Sequence, residues 1–305
     1  MIAIGSDTVK YNKASQLMHD GSQIEILSYH EFIQLVSEYD SISNDLPEFE
    51  IDNDKLLLYR GNDAVVTIPE SVKIIGKNAF YNNNKLTEVI ICDGVTTIEK
   101  GAFFKCNFMK KITLPQTLTK IEDKAFECCR SLASIVIPDS VTVLGKAVFQ
   151  DCYDLDNVQL PRKLQQLSEK MFCGCRTLHE ICIPDEVVVI PSMAFANCNS
   201  LKNITFGNRT AEIEGSAFAG CVSLNKVELP SKIKKVGEEA FSGCSALQEV
   251  ILSPKIKKID NNCFAGCTSL SRVVMHEGLE RIGEGAFRYC INLTEQSFVI
   301  IGEEG

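Results

Sequence analysis

Apolar residues along this chain recur at a fixed interval. Taking Leu224 as position 0 of the stretch LNKVELPSKIKKVGEEAFSGC, aliphatics fall at positions 0, 3, 5, 9 and 12, a small residue at 16, Phe at 17 and usually Cys at 20. The pattern restarts after 23 residues. Position 17 reads Phe80, Phe103, Phe126, Phe149, Phe172, Phe195, Phe218, Phe241, Phe264 and Phe287. Self-similarity at a fixed period of this length is the signature of a solenoid. The template predicts ten rungs over 63–292.

Each rung reads as two short strands and a turn. Positions 3 and 5 alternate inward around one outward residue, as in Val89 and Ile91 or Ile135 and Ile137, which is the period of a β-strand. Six rungs place Pro at position 6, and a residue without an amide proton marks the strand end and the corner. Positions 9 and 12, as in Val141 and Leu144, predict a second extended segment. Gly at position 13, in Gly76, Gly145, Gly237 and Gly283, permits the next bend. The small residue and Phe at 16 and 17 begin a helical or 3-10 turn that closes the coil. The expected class is therefore α/β, a solenoid of parallel β-strands with short helical or 3-10 turns, about 45–50 Å long at the spacing of parallel strands. A coil of this size cannot bury its own apolar face, so its stability must come from stacked neighbours.

The ends depart from the template. Residues 1–62 read as an N-terminal capping segment. A short strand over 24–27 precedes a helix opened by the capping box of Ser28 and Glu31, with Phe32, Ile33, Leu35, Val36 and Tyr39 on one face. A solenoid end needs cover, although the same helix could belong to a small separate binding module. Alternation on either side of Asp52-Asn53-Asp54 predicts a hairpin leading into the first rung. Residues 293–305 form a C-terminal cap or tail, in which Phe298 to Ile301 could pair on the last rung or leave an edge for self-association.

Charge narrows the partners. The net charge is -9, which argues against a general nucleic-acid binder, since phosphates call for surplus Lys and Arg. No apolar run approaches the length of a spanning helix, so membrane insertion is not expected. The opening MIAIGSDTVKYNKASQ lacks the basic and apolar regions of a secretory signal, which favours a cytoplasmic chain.

Nine of the fourteen Cys form a column at position 20: Cys106, Cys129, Cys152, Cys175, Cys198, Cys221, Cys244, Cys267 and Cys290. Stacked side chains point the same way, whereas a disulfide needs Cβ atoms about 3.8 Å apart, and thiolates in a row cannot surround a tetrahedral zinc. The column therefore reads as a small hydrophobe filling a slot beside the Phe residues, in a reducing or anaerobic setting. Cys92, Cys128, Cys173, Cys182 and Cys263 are scattered. In Cys128-Cys129 and Cys173-Gly174-Cys175 the member outside the column is expected to point outward.

No constellation announces a reaction. His19, His30, His179 and His276 are far apart, the last two lying four rungs from each other. Nucleotide-binding, zinc-protease and calcium-loop motifs are absent, so no catalytic, cofactor or metal site is expected. What remains is surface. The outward residue between the inward strand positions reads Thr67, Ile90, Thr113, Val136, Gln159, Cys182, Thr205, Glu228, Ile251 and Val274. A mostly uncharged, β-branched strip along a continuous sheet is a candidate protein-binding surface, and strand propensity alone also accounts for Thr and Val there. A basic stripe of Lys232, Lys234, Lys235, Lys255, Lys257, Lys258 and Arg281 stacks in the last three rungs. It is either a solvated face or a site for an acidic partner.

The consensus L-x-x-V-x-L-P-x-x-I-x-x-V-G-x-x-A-F-x-x-C resembles the repeat of BspA-like leucine-rich repeat proteins, over about three quarters of the chain. The lead-in FEIDNDKLLLYRGND is similar to that of bacterial members. The resemblance implies a curved, right-handed leucine-rich solenoid without catalytic residues. It also implies adhesion or protein binding at bacterial and protist surfaces, including attachment to host matrix proteins, and hence a cell-surface or secreted location. Two functions are expected from these readings: a non-catalytic protein-binding module using the strand-face strip, with an adhesin as its specific form, or an intracellular scaffold that self-associates through its ends.

Overall fold

A computed structural model of the chain describes residues 47–302, and the unit that begins at Glu48 is a solenoid of parallel strands. The expected strand at 24–27, the helix opened by Ser28, and both His19 and His30 lie outside the described residues. The first strands of the ten rungs run from Val65–Thr67 to Arg272–His276. Pairing is residue for residue at the repeat interval, as in Val66↔Val89 and Val89↔Ile112. The second strands run from Ile74–Ile75 to Arg281–Ile282 and form in every rung but the fifth. The tail supplies an eleventh strand, Phe298–Ile301, parallel to Arg272–His276.

The closing arm differs from the expected helical turn. In all ten rungs the residues at positions 15 and 19 have positive φ, for example Lys124 at 59° with Cys128 at 61°, and Glu239 at 58° with Gly243 at 72°. That rhythm turns the amides of positions 15, 17 and 19 toward the next rung. Lys124, Phe126 and Cys128 donate to the carbonyls of Lys146, Val148 and Gln150 at 2.8, 3.0 and 2.8 Å. The arrangement continues unbroken to Asn262, Phe264 and Gly266. The arm is thus a third hydrogen-bonded ladder made of turns, and Glu295–Ser297 is the only 3-10 helix among the described residues. The strand arms are less regular than expected. The first-strand sheet is bonded in four pieces and the second in three, so the continuous sheet anticipated from the sequence does not form.

The core follows the template. Nine of the ten ladder Phe are fully buried, and successive rings stack with centroids 4.9–5.6 Å apart and planes within 14°. The hairpin Phe49–Asp52 and Lys55–Tyr59 tops this column. It turns at Asn53, whose φ is 54°, and its second strand pairs in parallel with Ile74–Ile75. Tyr59 stacks on Phe80 at 5.0 Å, Phe49 covers Tyr59 at 5.1 Å, and the Tyr59 amide donates to the Ala79 carbonyl at 2.9 Å. The hairpin therefore occupies the slot of a preceding rung. At the other end Phe298 meets the half-buried Phe287 edge-on at 5.6 Å.

Candidate interaction surfaces

The strand-face strip is only partly what the sequence predicts. Thr67, Ile90, Thr113, Val136, Gln159, Cys182, Thr205 and Glu228 are exposed, with Val136 the most open apolar member at 61%. Ile251 is half-buried. Val274 is not part of the surface at all, at 2% exposure. Its strand is longer than the other first strands of the rungs and lies between Ile251 on one side and Val299 of the added strand on the other, in register with both. Two large apolar neighbours cover it.

The basic stripe is exposed throughout and is partly neutralised by neighbours. Lys234 pairs with Glu212 at 3.3 Å, Lys257 with Glu280 at 3.6 Å, and Lys258 with Asp260. Lys232, Lys235, Lys255 and Arg281 form no ion pair among the described residues. Such exposed pairs contribute little to stability, on the order of 0–1 kcal/mol each. The unpaired members leave a local positive charge on an acidic chain.

All fourteen cysteines are free thiols. Each column member donates its Sγ proton to the Phe carbonyl of the preceding rung, from Cys106 to Phe80 at 3.0 Å through Cys290 to Phe264 at 3.1 Å. Cys at position 20 is thus a donor as well as a small apolar filler. Burial pushes the Cys106 and Cys244 thiols up to about 12. Cys173, expected to point outward, is buried at 8% exposure, stacked in the closing arm between the equivalent Gln150 and Ala196 of adjacent rungs. Cys128 is half-buried, and Cys182 is the one exposed cysteine among the described residues.

Among the described residues the two histidines stand apart. His179 shares a hydrogen bond with Asp156 of the preceding rung at 2.5 Å, and both are exposed. His276 stands four rungs away, as expected. Among the described residues no group of three His, Cys, Asp or Glu could hold a metal ion, and no helix is long and apolar enough to cross a membrane.

Sequence reasoning missed the left-handed rhythm of the closing arm. Its signal is present, since none of the twenty residues at positions 15 and 19 is β-branched and Asn and Gly recur there, as that conformation requires.

Stacked parallel strands, an aliphatic and Phe core at one period, and short turns in place of helices define a leucine-rich repeat solenoid. The BspA type leucine rich repeat region matches residues 59–179 and 165–294. The chain belongs to that family. It is similar to a leucine rich cell surface protein of Faecalibacterium prausnitzii A2-165, at 25% identity over 86% of this chain and 97% of that one, with a TM-score of 0.52. The fold is also that of a leucine-rich repeat protein of Eubacterium ventriosum, at 20% identity over 81% of this chain and 78% of that one, with a TM-score of 0.51. The pneumococcal vaccine antigen PcpA shares it at 17% identity over 77% of each chain, with a TM-score of 0.50. No curated protein matches this chain in sequence.

Proposed function

We propose that this chain is a non-catalytic protein-binding module that presents its strand face to a partner, and that its specific role is attachment to a matrix protein at a cell surface. The observation that carries the reading is the outward strip itself. Ile90 and Val136 stand exposed on a scaffold whose inward neighbours Val89, Ile91, Ile135 and Ile137 are committed to the core. Exposed apolar side chains fixed on a rigid sheet lose little entropy on binding. Membership of the BspA type family and the likeness to a cell surface protein support the same direction.

The test uses purified chain and a panel of immobilised extracellular-matrix proteins. Replacing Ile90 and Val136 by Lys should abolish capture while leaving thermal unfolding nearly unchanged, because these exposed side chains contribute little to the core. Undiminished capture by the double variant would exclude the strip.

A second reading, self-association through the solenoid end, is favoured by Ile291 at 77% and Ile300 at 64% exposure, the latter on a last strand that pairs only with Arg272–His276 among the described residues. Light scattering on the purified chain separates the two, since only this reading predicts a dimer that Ile300→Lys dissociates.

A further inference from the structure

The strand face departs from the template at the seventh rung. Position 5 is aliphatic and buried in rungs six, eight and nine, as Ile183, Leu229 and Leu252, and each of these amides donates to the next rung at 2.8–2.9 Å. The seventh rung carries Phe206 instead. Its ring stays half-buried and meets Phe218 edge-on at 6.4 Å. The Phe206 amide has no acceptor among the described residues, and the strands Asn203–Thr205 and Lys226–Glu228 are not bonded to each other. A groove of about 530 Å³ opens along this break, walled by Ile204, Phe206, Pro230, Ile251 and His276, with Glu228 also in its lining.

The rims of the groove differ in charge. On one side the carboxylates are matched: Glu249 pairs with Lys226 at 3.0 Å and with Arg272 at 3.1 Å, and Glu228 lies 3.8 Å from Lys226. On the other, the corner that follows Pro230 and Pro254 carries Lys232 and Lys255, both exposed and without an ion pair among the described residues. A largely apolar trough whose one lining carboxylate, Glu228, faces Lys226, and whose other rim is positive, selects for an apolar anchor with its negative charge laid toward that positive rim.

We propose that this groove docks an acidic segment of a partner protein, seating an apolar side chain between Phe206 and Ile251 and laying its carboxylates along Lys232 and Lys255. The inference rests on the strand-face reading and assigns to one stretch of that face, away from Ile90 and Val136, a preference for one sign of charge.

Fluorescence anisotropy on the full chain tests it with three labelled octapeptides. Each has a central Leu-Phe pair, flanked on both sides by three Glu, three Gln or three Lys. The Glu peptide should bind roughly tenfold tighter than the Gln peptide, the effect of two surface charge contacts, and the Lys peptide weakest. The advantage should shrink as salt rises from about 50 to about 500 mM. The double variant K232E/K255E, altered only at exposed positions, should reverse the order of the Glu and Lys peptides. Equal binding of the Glu and Gln peptides, no detectable binding of any peptide, or an order unchanged in K232E/K255E would overturn the proposal. If matrix capture depends on Ile90 and Val136 while the peptides show no charge preference, the strand-face reading survives and the acidic-segment proposal falls.

Discussion

At the scale of single residues, the inward positions are nearly interchangeable between rungs, so they explain the fold and carry no information about a ligand. The informative positions are those where chemistry is specific. Position 20 is one: a thiol reaches the preceding Phe carbonyl at 3.0–3.3 Å in every rung from the second onward. Positions 15 and 19 are another. Lys170 is exposed with φ of 56°, so Lys170→Gly should stabilise the protein by roughly 0.5–1 kcal/mol by removing left-handed strain. Gly243→Ala should do the reverse, costing about 1–2 kcal/mol, since a Cβ there has room, 3.7 Å from the nearest atom, and only φ 72° opposes it. Denaturant midpoints of the two variants check both signs. Asn78, Asn82, Gly220 and Gly243 carried this conformation in plain view, but a Phe at fixed spacing speaks louder than the small residues around it. The period alone cannot tell a helical turn from alternating left- and right-handed residues.

At the scale of the element, the unit is the rung and its two neighbours. The three ladders differ: the turn ladder runs through all rungs, while the strand ladders are interrupted. This was not legible, because the residues at the breaks satisfy the same template as the residues that pair. Phe206 is the exception, an aromatic in an aliphatic slot that the sequence does display. The hairpin was legible from Asp52-Asn53-Asp54, but its role as a preceding rung, with Tyr59 extending the Phe column, was not, because Tyr59 falls outside the repeat interval. In a nearest-neighbour solenoid, damage stays local. Tyr59→Ala should therefore remove the stack on Phe80 and lower hydrogen-exchange protection in the first rung, leaving the amides of Phe149, Phe172 and Phe195 protected as before.

At the scale of the whole molecule, the cysteine column becomes a collective property. From Cys106 to Cys244 the buried column thiols are raised by desolvation above their ordinary value of 9.0, to about 12 at Cys106 and Cys244. The folded state thus holds protons that the unfolded chain releases. Stability is fully present below pH about 9 and is lost as pH rises toward the folded values, at roughly 1.4 kcal/mol per pH unit for each such thiol. Thermal unfolding measured from pH 7 to 11 should show a melting temperature that is flat at first and then falls steeply above pH 9. A Cys106→Ala/Cys244→Ala variant should show a shallower fall. A melting temperature independent of pH over that range would mean the thiols titrate freely.

The partner surface is also a property of the whole, since ten separately placed outward residues act together only if the rungs stack. Among them Val274 is lost to the added strand and Cys182 is gained as a reporter. Cys182 lies on the strand face between Gln159 and Thr205 and is the exposed thiol among the described residues. The most direct measurement is therefore its alkylation rate, read by mass spectrometry, with and without a bound matrix protein at saturation. Binding across the strand face predicts that the bound partner slows modification of Cys182 severalfold while the half-buried Cys128, on the closing arm, reacts as before. An unchanged rate at Cys182 under saturation would place the partner elsewhere and contradict the account.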